Sequence, residues 1–193
     1  SVLSRKPKKE SAYILSNLYT IISASLLVIT ILLFIAADPL IRLIGPGLSY
    51  ELHRIAVIQL KIMAPTAFLS GLIGLGFGSL NAFNIFWIPS ISPLISSLAV
   101  ITGISILWMQ VGENIGSDQL AIKGGSVIAA SILIGALLQF LSQLPVLYKK
   151  GILKLRLKFD LQHPGIKEVL RIIFPASLSS GMLQINVFTD LLF

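Results

Sequence analysis

The chain has 193 residues, 55% hydrophobic and 12% charged, with a formal net charge of +7 and no cysteine; mean hydropathy is +0.90. A soluble domain carries about 25% charged residues, so the composition excludes a soluble globular protein and points to an integral membrane protein. The lack of cysteine excludes disulfides, thiolate zinc sites and a thiol nucleophile. The positive charge flanks apolar runs, as membrane anchors do, and does not form a nucleic-acid surface.

Residues 1–10 are polar and basic, with Arg5, Lys6, Lys8 and Lys9 against Glu10. They lead into a charge-free run too long for the apolar core of a signal peptide, and no convincing cleavage site follows. The first span is expected over about 11–37. Asp38-Pro39 marks its end, because proline cannot continue a helix without losing a hydrogen bond. Residues 40–61 read as a mixed connection with a Gly45-Pro46-Gly47 turn. Lys61 is placed to snorkel at the start of the next span.

Residues 62–112 contain no Asp, Glu, Lys or Arg. A single crossing needs about 20 apolar residues, so this run holds two. Asn81, Asn84 and Pro89 mark a turn, with Phe83, Phe86 and Trp87 at headgroup level. The expectation is a helical hairpin with spans near 62–82 and 90–111. Its close packing is assigned to Ser70, Gly74 and Gly78, which recur every four residues. A phosphate-binding loop is excluded there, since the following Lys and Ser/Thr are missing.

Residues 113–123 form a short polar loop, and a fourth span covers about 124–147. The segment 148–171 is the most basic, with Lys149, Lys150, Lys154, Arg156, Lys158, Lys167 and Arg171 against Asp160 and Glu168. Pro164 suits the first turn of a helix that leads into a fifth span, 172–193. The fold class is therefore all-α: a polytopic transmembrane bundle of five spans in one membrane domain over 1–193. Both basic segments fall on one side after four crossings, which the positive-inside rule makes cytoplasmic. The absent initiator Met and the apolar end at Leu191-Leu192-Phe193 lead us to expect a piece of a longer protein.

Few polar residues lie within the spans. Gln139 and Gln143 are four apart, on one face of the fourth span, and could hydrogen-bond across helices or line a wet cavity, as could Gln184 in the fifth. His53 and His163 read as solvated loop histidines, because neither has neighbours at metal-ligand spacing. The pairs Ser96-Ser97 and Ser179-Ser180 have no G-x-S-x-G context, and no acid–base pair converges, so no catalytic residues are assigned. Asp190 is the exception. A carboxylate at membrane depth costs about 2.5–3.5 kcal/mol, so its default reading is functional unless it reaches the interface.

Four stretches together resemble one family. They are Ile44-Gly45-Pro46-Gly47-Leu48; Gly78-Ser79-Leu80-Asn81-Ala82-Phe83-Asn84 with Phe86, Pro89 and Pro93; Gly135-Ala136 with Gln139 and Gln143-Leu144-Pro145; and Phe159-Asp160 with His163-Pro164-Gly165, Phe174-Pro175-Ala176, Gln184-Ile185-Asn186 and Asp190. In this order and spacing the chain resembles the MurJ/MviN lipid II flippases of bacteria, in the MOP exporter superfamily. The resemblance places it at the third to seventh of about fourteen helices in the plasma membrane. Ser97 and Ala136 stand where members usually have Asn and Gly.

The resemblance implies a transporter, not an enzyme. Its partner would be lipid II or a related polyprenyl-pyrophosphate glycolipid, with no nucleic acid. The family's essential arginines lie on the first two helices and the eighth, so no arginine here takes that role. In some relatives an acid matching Asp190 contributes to a sodium site. Asn186, four residues earlier, could add a carbonyl oxygen suited to a hard cation, so Asp190 and Asn186 are expected as Na+ ligands. Other readings are another polysaccharide-lipid flippase, a multidrug exporter of the superfamily, or a structural subunit without transport.

Overall fold

The computed structural model describes residues 8–111, 118–151, 160, 162–171, 175 and 182. Five helices follow in order: α1 (Lys8–Ile35), α2 (Ala37–Ile44), α3 (Tyr50–Ala82), α4 (Trp87–Val111) and α5 (Asp118–Lys149). A further helix, α6, is described over 164–171, opening at Pro164. There is no strand among the described residues. Four helices are long and apolar enough to cross a membrane: Tyr13–Ile35, Tyr50–Ala82, Trp87–Gln110 and Ile122–Lys149. In lipid every backbone polar group must be paired within the segment, and a helix achieves that. The fifth expected span, 172–193, lies outside the described residues except for Pro175 and Met182.

The connection at 40–61 is more helical than its polarity suggests. Asp38 and Pro39 fall in the first turn of α2, where proline's missing N–H would have no partner anyway. The chain turns at Gly45–Leu48, with the Leu48 N–H donating to the Gly45 carbonyl at 3.2 Å. Ser49 then caps α3, its Oγ accepting from the Leu52 N–H at 3.4 Å. Helix α3 has 33 residues and is about 50 Å long, well beyond a hydrocarbon core of about 30 Å. Its first twelve residues, which include Glu51, Arg54 and Lys61, form the excess. The Lys61 ammonium lies 5.7 Å from the Phe34 ring centroid on α1, a cation–π contact at the base of the span.

The α3–α4 turn follows from Asn84, which adopts φ 59°. Asparagine is among the few non-glycine residues that tolerate the left-handed region. The Ile85 N–H donates to the Leu80 carbonyl at 2.9 Å and the Asn84 N–H to the Asn81 carbonyl at 3.1 Å. This Schellman pair satisfies two carbonyls left over at the helix end. Ile85 packs against the buried cluster that includes Leu80, the apolar contact that accompanies the motif.

The helices pack in the row α1–α3–α5–α4, with α2 folded against α3, while α3 and α4 scarcely touch. This overturns the expected hairpin seam. Gly74 and Gly78 are exposed, and a Cβ added at either would meet nothing within 4 Å. Ser70 is exposed as well. Other glycines make the close approaches: Gly71 against Leu26 of α1, Gly76 against Gln143 of α5, Gly125 of α5 against Gln59 of α3, and Gly103 of α4 against Ser131 of α5. At Gly135 an added Cβ would stand 2.9 Å from the Ser96 carbonyl oxygen of α4, so these backbones nearly touch. The physical reason is the helix order: α5 is the neighbour of both α3 and α4, so Gly76 and Gly103 face α5, Gly71 faces α1, and none of them joins α3 to α4.

Candidate functional site

The main core cluster joins Leu15 and Tyr19 of α1, Leu72 and Leu80 of α3, Ile88 of α4 and Leu147 of α5. It fixes one end of the bundle as the meeting place of the start of α1, the α3–α4 turn and the end of α5. The basic residues Lys149 and Lys150 belong to this end, in a small cleft of about 290 Å³ with Asn84 and Trp87. The opposite end carries α2 and the start of α3.

A polar anchor sits at the first end. The Asn17 side chain is fully buried and pairs with the backbone of Asp160: its Nδ2 donates to the Asp160 carbonyl at 2.7 Å, and its Oδ1 accepts from the Asp160 N–H at 3.0 Å. One amide thus stands in for a strand partner. The Tyr13 hydroxyl donates to Asp160 Oδ2 at 3.0 Å, and the Gln162 N–H donates to Oδ1 at 3.1 Å. The hydrogen bond from Tyr13 holds the Asp160 carboxyl below the usual carboxylate range, with the Gln162 and His163 N–H groups assisting and partial desolvation opposing. The Tyr13 and His163 rings pack at 5.4 Å, and His163 Nδ1 accepts from the Gly165 N–H at 3.2 Å. Below this lies an apolar seam of Ile14, Leu18 and Ile166. His163 is therefore a structured residue opening α6, not a solvated one.

His53 also departs from its expected setting. It lies in the first turns of α3, and its Nε2 is 2.9 Å from Asp38 Oδ1. Arg42 Nε is 2.9 Å from Asp38 Oδ2. The His53 hydrogen bond, and then the Arg42 charge, hold the Asp38 carboxyl below its ordinary range against some desolvation. These residues line an open cleft of about 810 Å³ between α2 and α3. Sequence reading missed both clusters. The Asp38–Arg42 spacing of four on a helix was available as a signal; the Asn17–Asp160 pairing, 143 residues apart, left none.

Of the cavity-lining candidates, Gln143 is fully buried and seats its amide against Gly76 of α3. It packs the seam between α5 and α3. Its Nε2 donates to the Gln139 carbonyl at 3.4 Å, while its Oε1 has no partner. Gln139 is partly exposed. Gln184, Asn186 and Asp190 lie outside the described residues. Among the described residues no group of three or more His, Cys, Asp or Glu could hold a metal.

Residues 1–193 match the family described as lipid II flippase MurJ. A protein of Synechocystis named probable lipid II flippase MurJ is 46% identical over 193 residues, covering 100% of this chain and 36% of that protein. A Buchnera aphidicola protein of the same name is 30% identical, covering 98% of this chain and 35% of that protein. One of Burkholderia cenocepacia, named lipid II flippase MurJ, is 26% identical, covering 87% and 32%. No solved structure matches the chain. The chain spans about a third of the length of these relatives. With the match extending over every residue and four helices long enough to span a membrane, the chain belongs to the MurJ family.

Proposed function

We propose that the whole protein moves lipid II from the cytoplasmic to the outer leaflet of the bacterial plasma membrane, and that this chain supplies much of its N-terminal lobe. The observation that carries this reading is the family match over the full chain. The physical task is to carry an anionic head group through hydrocarbon. A polar, cationic cavity between two helical lobes lowers that cost while the lipid tail stays in the bilayer, and rocking of the lobes gives alternating access. The protein acts as a transporter and not as an enzyme. The chain's contribution is a packed row, α1–α3–α5–α4, with α6 tied to α1.

The end bearing Asn17, Asp160, Lys149 and Lys150 faces the cytoplasm in this proposal. Its flanking segments are the basic ones, and anionic lipid and the positive-inside rule favour that side. In an otherwise unchanged full-length protein, Lys150→Cys should resist an impermeant thiol reagent in intact cells, while Gly47→Cys should react. Labelling of Lys150→Cys from outside would invert the orientation.

Asp190 and Asn186 are proposed as sodium ligands completed by the other lobe. Their spacing of four in the sequence is that of one helix face, and a bound cation would offset the cost of a carboxylate at membrane depth. Full-length protein in vesicles should translocate lipid II, with sodium dependence in the wild type and none in Asp190→Asn. Absence of lipid II movement refutes the function. Equal sodium responses refute the ion site alone.

A further inference from the structure

The cleft between α2 and α3 has no role in the proposed function, and its chemistry is that of an anion site. One carboxylate, Asp38, serves two partners, Arg42 and His53, each at 2.9 Å. Arg54 also lines the cleft and has no carboxylate partner among the described residues. The cleft therefore carries excess positive charge. It is open and holds about 810 Å³, ample for a phosphate with its substituents.

The rim is apolar. Of the lining residues, Leu48 is exposed and Tyr50 is 79% exposed, and Leu43, next in the chain to Arg42, is 79% exposed as well. Helix α2 sets Asp38 and Arg42 four apart on one side, with Leu43 and Ile44 away from them. An amphipathic helix of this kind lies at a membrane surface with its apolar side in the acyl boundary. A cationic pocket bordered by side chains that enter the bilayer suits a ligand with a charged head and a lipid body, and a free anion would make no use of the rim.

We propose that the α2–α3 corner binds the phosphate head group of an anionic glycerophospholipid, at the membrane surface opposite the Asn17–Asp160 anchor. Arg54 and Arg42 supply charge-assisted donors to the phosphate. Asp38 aligns the Arg42 guanidinium and the His53 ring. The proposal is independent of which lipid the whole protein transports.

The test is native mass spectrometry of the full-length protein titrated with phosphatidylglycerol. Arg42→Gln/Arg54→Gln should lose one tightly held adduct, with occupancy weakened about tenfold or more for the lost charge-assisted contacts. Lys149→Gln/Lys150→Gln, at the other end, should retain it. An unchanged thermal midpoint would show that the arginine variant is folded. If it is destabilised, Arg54→Gln alone, which breaks no ion pair, should still weaken that adduct. Inorganic phosphate at millimolar concentration should not displace the lipid. Retention of every adduct by the arginine variants, equal loss in the lysine variant, or full displacement by inorganic phosphate would each overturn the proposal. Loss of the phosphatidylglycerol adduct to an equimolar polyprenyl diphosphate would also overturn it, assigning the pocket to the transported lipid.

Discussion

Replacing Gly76 by leucine should prevent stable assembly of the helix row, while the same change at Gly74 or Gly78 should be nearly silent. An ideal Cβ at Gly76 falls onto the Gln143 amide oxygen, with Leu147 just behind. Neither partner can retreat, since both are fully buried. Forcing atoms into a packed interior costs about 1–3 kcal/mol when only methylenes are added; a whole isobutyl group at a helix seam should exceed that. Gly76→Ala should be damaged less, and Gly76→Ala/Gln143→Ala should recover part of the loss, because shortening residue 143 opens the space. Gln143→Leu alone should be close to neutral: it removes an oxygen that has no partner, and loss of an unpaired buried acceptor offsets the single long bond given up. The thermal midpoint and yield of the full-length protein measure all of these. A Gly74→Leu variant as defective as Gly76→Leu would show that the exposed face meets another part of the whole protein as tightly as α5 meets α3.

That contrast also shows what the sequence could and could not reveal. Charge-free runs locate the helices, because few compositions other than a span go 51 residues, from 62 to 112, without charge. The turn at Asn84 was legible, since asparagine followed by apolar Ile85 suits a left-handed helix stop. A four-residue repeat of small side chains, however, names a face without naming its partner. Ser70, Gly74 and Gly78 share one face of α3, yet α5 and α1 pack on others, through Gly76 and Gly71. Neighbour order is a property of the whole bundle, and nothing local encodes that α5 returns beside α3. The early start of α3 was hidden for another reason. Residues 50–61 are polar because they project beyond the hydrocarbon, and polarity in a membrane chain reads as loop. His53 and Asp38, 15 residues apart, meet only because α2 folds back at Gly45–Leu48. For the candidate site the sequence gives less still: nothing local shows that Gln143 is buried against Gly76, and the Asn17 anchor has no motif.

Asn17→Ala should release the 160–171 segment from α1 while the four-helix row stays folded. The Asn17 amide satisfies both the N–H and the carbonyl of Asp160, at 3.0 and 2.7 Å, and its own side chain is fully buried. Leaving a buried backbone group without a partner costs about 1–3 kcal/mol, so losing both should cost about 2–4 kcal/mol locally. Asn17→Asp should be comparably harmful, because it keeps the acceptor but loses the donor and points a carboxylate at a carbonyl. Asp160→Asn should be mild, since the backbone pairing survives and an amide oxygen can still accept from Tyr13. Acid should act in the same direction as that last change. The native Asp160 carboxyl titrates below its ordinary value, near 3.9 in an unfolded chain. Its contribution is therefore complete above about pH 4–5 and is lost as pH falls through the lowered native value. Tyr13→Phe should consequently loosen the segment at pH 7 and differ less from wild type near pH 3. Hydrogen exchange of the amides of 162–171, compared with those of α5, measures each effect. Fast exchange confined to 162–171 in Asn17→Ala is the expected result. Exchange rising equally throughout α5 would mean that Asn17 holds up the whole bundle, and unchanged exchange would mean that Ile14, Leu18 and Ile166 hold α6 in place without the polar anchor.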